Sequence, residues 1–275
     1  QPRPGPVALL RAAINGGIPT IAIEETNQVA LNQGRVNNYV LPVDHVFACS
    51  AYERREMIAA GFPDRRFSIS GWPFYHGQVG ETPIERKRTS REELGLDPQR
   101  PVAALTLSGL HDAGESPEVR QRQLTLAAQG LPDDYQLAVK PHPKESLQTL
   151  VPFVEKFAPE AKVIDGLVSI NTLLDAADIL LNRGVSQVCI EALFQKIPVL
   201  VLETGISTPF HGVVEDLIAS NPEDLHRLVE TIRNGANWLD MYESFFGEHV
   251  PHGPLEARSL ACRRIAEIAR NRERD

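Results

Sequence analysis

The chain has 275 residues, 42% of them hydrophobic and 23% charged, with a formal net charge of -8. That length suits two ordinary domains with real cores, and the acidic balance argues against phosphate-backbone binding as the main business, because nucleic-acid proteins need a broad basic surface, while leaving room for a small local basic pocket. Nothing approaches the roughly 20 apolar residues of a membrane span, and Cys49, Cys189 and Cys262 lie far apart, read as reduced core thiols rather than metal or redox groups.

The opening Gln1-Pro2-Arg3-Pro4-Gly5-Pro6 is turn-like and carries no signal-peptide pattern, so the expected location is cytoplasmic. Val7 to Ile14 predicts a helix ending at Gly16-Gly17. Strands are predicted at Ile18 to Glu24, Val43 to Cys49 and Arg66 to Ser70. Ser50 caps a helix running through Ala60 to Gly61. His76 to Arg88 is polar and without apolar period and reads as a linker, followed by a capping-box pattern at Ser90 to Glu93. Beyond it, short apolar strands alternate with helices. The strands are Val102 to Leu107, Gln136 to Val139, Lys162 to Ile164, Asp178 to Leu181 and Ile197 to Leu202. The helices are Pro117 to Gln129, Glu145 to Phe157, Ile170 to Ala176 and Ser186 to Gln195. This rhythm predicts a parallel sheet covered on both faces, and Pro254 to Arg270 predicts a long amphipathic helix. The expected organisation is a partial domain over 1–75, a linker over 76–97, a second domain over 98–250, and a helix over 251–275 returning to the first.

In parallel sheets of this kind ligands bind beyond the C-terminal strand ends. Three such places stand out. Leu107-Ser108-Gly109 leads to His111 and a second glycine, Gly114; glycines let a phosphate approach the backbone, although such loops are common as plain connections. Lys140-Pro141-His142-Pro143-Lys144 holds an imidazole between prolines and flanks it with two ammonium groups, an arrangement suited to a diphosphate. Asn182-Arg183-Gly184 runs into Ser186-Gln187, with Ser186 placed as a helix N-cap whose free amides suit an anion, and Glu191 follows as an acceptor for ribose hydroxyls. Glu24 and Glu25 end a strand and enter a polar run; one of them is a candidate base for an acceptor hydroxyl, against the reading of a solvated loop. His45 reads as a packed core histidine. His211, His249 and His252 lack metal-ligand spacing, and no metal site is expected.

Cys189-Ile190-Glu191-Ala192-Leu193 followed by Ile197-Pro198-Val199-Leu200 resembles the nucleotide-binding signature of GT-B glycosyltransferases, and Lys140-Pro141-His142-Pro143 resembles the His-Pro motif of bacterial surface-polysaccharide transferases. Among these are the CDP-glycerol glycerophosphotransferase, Kdo-transferase and polysialyltransferase relatives. Gly17 to Glu25, Val43 to Ser50 and Ser70-Gly71-Trp72-Pro73 resemble N-domain segments of the same superfamily, which includes the UDP-GlcNAc 2-epimerases. The resemblance implies an α/β, GT-B-like fold of two Rossmann-like domains, the first incomplete here. It implies a CMP-, CDP- or UDP-linked sugar or polyol phosphate as donor substrate, no separate cofactor, and a carbohydrate or lipid-linked acceptor met with at most peripheral membrane contact. His142 and Ser186 would take phosphate roles and Glu191 the ribose. Arg183 departs from the usual Ser/Thr-rich loop and would add a phosphate contact. The expected function is glycosyl transfer in cell-envelope or capsule polysaccharide synthesis. The alternatives are a sugar-nucleotide 2-epimerase or a catalytically silent binding or scaffold protein. With the first strand and glycine loop of a full N domain lacking, little turnover is expected from these 275 residues, and an unpaired sheet edge favours a homodimer.

Overall fold

A computed structural model describes residues 4–23, 43–75, 77–108, 115–143, 145–184, 186–205, 208 and 210–272. They fall into two compact units, one made of 1–76 with 246–275 and one of 77–245. None of the described helices is long and apolar enough to cross a membrane.

The first unit begins with α1 (Pro4–Asn15) and β1 (Ile21–Ile23), then β2 (His45–Ala48), α2 (Ala51–Ala59) and β3 (Phe67–Ile69). The three strands pair in parallel in the order β1-β2-β3. Ser50 caps α2 by accepting from the Glu53 amide at 3.1 Å, and the Glu53 carboxylate reaches back to the Cys49 amide at 2.7 Å. Glu53 thus ties the residue before the cap to the first turn of the helix. Val46, Ala48, Met57 and Phe67 make the small core. His45 is buried, bonds Ser68 through Nε2 at 3.0 Å, and has its pKa lowered, first by burial and then by Arg264. The long helix α11 (Pro254–Arg272) belongs to this unit: Arg258 donates to the carbonyls of Pro73, at 2.9 Å, and Tyr75. Gly71, at φ +75, is approached by this segment, since a Cβ there would stand 3.2 Å from that of Ala257. Cys262 is exposed, which corrects the expectation of three core thiols; Cys49 and Cys189 are buried.

The second unit opens with α3 (Ile84–Glu93), where the sequence predicts a linker. The helix lacks an apolar stripe because ions hold it: Arg86 bonds Asp175 at 2.8 Å, and Lys87 and Arg91 bond Asp178 at 2.9 and 2.6 Å. Ser90 is a buried residue inside this helix rather than its cap. Next come β4 (Val102–Thr106), α4 (Pro117–Gly130), β5 (Gln136–Lys140), α5 (Leu147–Phe157), β6 (Lys162–Val163), α6 (Ile170–Ala176), β7 (Ile179–Asn182), α7 (Val188–Phe194) and β8 (Val199–Leu202). Beyond the predicted elements lie β9 (Ile218–Ala219), α8 (Pro222–Arg233), α9 (Trp238–Met241) and α10 (Glu243–His249), which leads back into the first unit. All six strands are parallel, ordered β6-β5-β4-β7-β8-β9. Val102 to Leu105 in β4 and Val199 to Leu202 in β8 are at most 1% exposed, which is why the strands read as unbroken apolar runs.

Candidate functional site

The strand order places a topological switch between β4 and β7. The chain builds outward from β4 on one side, returns, and builds outward from β7 on the other, so the loops after these two strands diverge and leave a crevice at their C-terminal ends. Asn182 fixes the floor. Its amide donates to the Thr106 carbonyl at 3.1 Å and Oγ1 at 2.8 Å, while its own oxygen accepts from the Gly184 amide at 2.8 Å. Gly184 stands at φ +77, and a Cβ on it would lie 2.8 Å from Thr208 Oγ1 and 2.9 Å from a Phe210 ring carbon. Only glycine fits that turn.

Among the described residues, Ser108, His142, Ser186 and Gln187 lie at one edge of this sheet, because each follows the C-terminal end of one of its parallel strands. Ser108 is half-buried after β4, His142 half-buried after β5, and Ser186 and Gln187 half-buried after β7. Glu191 is half-buried one turn into α7, and burial pushes its carboxyl up to about 7 from 4.5. No hydrogen-bond or ion partner for it is found among the described residues. Glu24, Glu25, Gly109, His111 and Lys144 lie outside the described residues.

Four expected roles change. Lys140 is buried with its pKa lowered by desolvation, and its ammonium donates to the Gly166 carbonyl at 2.8 Å, so it holds the loop after β6. Arg183 is 1% exposed and faces Glu115 at 3.4 Å instead of reaching outward. The Gly184 amide is taken by Asn182. Gln187, not Ser186, is the N-cap of α7, with no side-chain cap bond; the Ser186 hydroxyl accepts from the Val188 amide at 3.4 Å.

No family model matches the chain, and no curated protein matches it. Solved structures do. HepE of Anabaena in complex with UDP-glucose aligns at TM-score 0.56 and 14% identity, over 95% of this chain and 76% of that one. The UDP-GlcNAc 2-epimerase of Neisseria meningitidis bound to UDP-GlcNAc aligns at 0.56 and 14%, over 94% and 73%. A glycosyltransferase of Rickettsia africae aligns at 0.61 and 9%, over 98% and 76%. The chain has the GT-B fold. At these identities the likeness concerns the fold, and the site must be argued from this chain's own residues.

Two polar clusters in this GT-B chain escape sequence reading. Arg120, Glu115, Gln123 and Glu145 form a buried ionic group with Arg183. Burial raises the Glu115 pKa, while Arg183 and Arg120 pull it back. Its signal was present in the sequence: Arg120, Gln123, Leu124 and Ala127 share the buried face of α4, so two polar residues occupy core positions. The second cluster follows β8. His211 bonds Glu203 through Nε2 at 2.9 Å and takes the Thr208 amide on Nδ1 at 3.1 Å. Burial raises the Glu203 pKa, but the bonds from His211 and the Gly205 amide outweigh it and the net shift is downward. Among the described residues no group of three His, Cys, Asp or Glu could hold a metal. A surface groove of about 590 Å³, lined by residues including Arg100, Gln136 and Lys162, opens at the N-terminal strand ends, the edge opposite the loops above.

Proposed function

We propose that the second unit binds a nucleotide-activated sugar, or an activated polyol phosphate, over the crevice between the ends of β4 and β7. The diphosphate lies against Ser108, His142 and the Ser186-Gln187 turn, and the ribose hydroxyls donate to Glu191. The observation that carries this reading is Glu191. A half-buried carboxyl held near pH 7 by desolvation alone is a costly thing to keep in a core-facing helix, and a ribose would supply the two donors that offset the cost. That the fold is shared with structures holding UDP-glucose and UDP-GlcNAc supports the same ligand class.

The chemistry proposed is glycosyl transfer in cell-envelope or capsule polysaccharide synthesis, to a carbohydrate or lipid-linked acceptor. Glu24 or Glu25 would take the acceptor proton. His142 and Lys144 would meet the charge developing on the leaving phosphate; Lys140 and Arg183 are withdrawn from that role, being committed inside the protein. No cofactor beyond the donor is proposed. Cytoplasmic location and homodimerisation belong to the same reading. The experiment is calorimetric titration of CMP, CDP, UDP, GDP and their sugars, followed by product analysis of the tightest donor with and without acceptor. Micromolar binding of one nucleotide is the expected result. Conversion of UDP-GlcNAc to its 2-epimer without acceptor would replace transfer by epimerisation, and no binding by any of them would overturn the reading.

A further inference from the structure

The loops of the proposed site are joined beneath the surface by charged groups that water does not reach. Arg120, near the start of α4, is fully buried. Its Nε faces Glu115 at 3.3 Å, its Nη2 donates to the Ser108 carbonyl at 3.0 Å and to Glu145 at 3.1 Å, and its Nη1 bonds Glu145 as well. Glu115 takes the Gln123 amide on both oxygens at 3.2 Å and faces Arg183 Nε at 3.4 Å. One guanidinium and one carboxylate therefore reach three strand-end segments: Ser108 after β4, Glu145 close behind His142, and Arg183 close before Ser186. Two positive and two negative groups balance. For holding a fold together, such a group offers little over apolar packing of the same volume. What a planar fork of five donors adds is direction: it fixes the angle as well as the distance of each partner.

We infer that Arg120 and Glu115 are positioning residues, which set the mutual placement of the loops bearing Ser108, His142 and Ser186 and so the affinity for the nucleotide. The ligand half of this inference rests on the proposed nucleotide site; the coupling of the three loops does not.

The test uses the whole chain, with Arg120→Lys and Glu145→Gln. Lysine keeps the buried charge but, as a single point donor, cannot hold three partners in fixed directions. In Arg120→Lys, amide hydrogen exchange over 140–146 and 182–187 should rise by about tenfold or more, while amides of β4 and β8 stay within about twofold. UDP should bind about 10- to 100-fold more weakly. Glu145→Gln loosens only the β5 side, so exchange should rise over 140–146 and not over 182–187. That pattern is one that general destabilisation does not produce, and it carries the test by itself if Arg120→Lys does not fold. Exchange that rises uniformly along the sheet, or not at all in the loops, overturns the inference. So does wild-type UDP affinity in Arg120→Lys. If the wild type binds no nucleotide, the ligand reading fails and the affinity role with it, while the exchange pattern still decides the coupling.

Discussion

Replacing Glu191 with glutamine removes a group whose charge state sets stability against binding. In the folded chain its carboxyl titrates near 7, against 4.5 ordinarily, because burial disfavours the charged form. The unfolded chain gives up this proton first. Between those two values the unfolded state is ionised and the folded state is not, so folding stability is fully present below 4.5 and is lost as pH rises through 7. From pH 5 to pH 8 the loss is about 2 kcal/mol, allowing for residual solvent contact of a half-buried group. Glutamine does not titrate, so Glu191→Gln should be more stable than wild type by about that amount at pH 8 and nearly equal to it at pH 5. Binding should run the other way. Only the carboxylate accepts from both ribose hydroxyls, so wild-type affinity for UDP-glucose relative to that of the variant should fall about tenfold from pH 8 to pH 6, a ratio in which any contribution of His142 cancels. UDP-glucose is the ligand to use, because its diphosphate carries no group titrating in that interval. Urea unfolding and calorimetry at the two pH values read both effects. Parallel pH profiles of wild type and variant, in stability and in affinity alike, would refute the reasoning.

His142→Ala should weaken nucleotide binding by about 1.5–3 kcal/mol, the worth of a charge-assisted phosphate contact, with the melting temperature nearly unchanged; calorimetry beside a thermal melt checks this, and unchanged affinity would remove His142 from the site. Gly184→Ala forces a Cβ to 2.8 Å from Thr208 Oγ1 at φ +77 and should cost about 1–3 kcal/mol in urea unfolding. His249 is buried, its pKa lowered from 6.5 to about 4 by desolvation chiefly, with Glu248 raising and Arg55 lowering it. Its neutral form favours the fold, so stability is present above 6.5 and lost as pH falls toward 4. Wild type should therefore lose about 2 kcal/mol between pH 7 and pH 5 that His249→Phe does not lose, measured by urea unfolding at both values.

What the sequence made legible were the features written in apolar period and local chemistry. Val102 to Leu107 and Ile197 to Leu202 read as buried strands because every residue is apolar or small, and Ser50 reads as a cap because its hydroxyl suits a free amide. Charged groups that act over long sequence separations were not legible. Arg86, Lys87 and Arg91 turn an expected linker into α3 through Asp175 and Asp178, some ninety residues along the chain. Arg183 faces a glutamate, Glu115, that nothing local announces. The helix α8 does carry a local signal, Asn221 capping the Asp224 amide at 2.8 Å with Leu225, Leu228 and Val229 on one buried face. In the site, the type of each residue pointed to anion binding, whereas which cations are free to meet a ligand depended on partners that only the fold brings together.

A crystal structure of the chain with its tightest-binding nucleotide decides whether the ligand lies over the ends of β4, β5 and β7. The diphosphate should stand within hydrogen-bond reach of Ser108, His142 and the Ser186-Gln187 turn, with both ribose hydroxyls on Glu191. A nucleotide bound at the opposite strand ends, in the groove lined by Arg100, Gln136 and Lys162, or seated with Glu191 out of its reach, would contradict that placement.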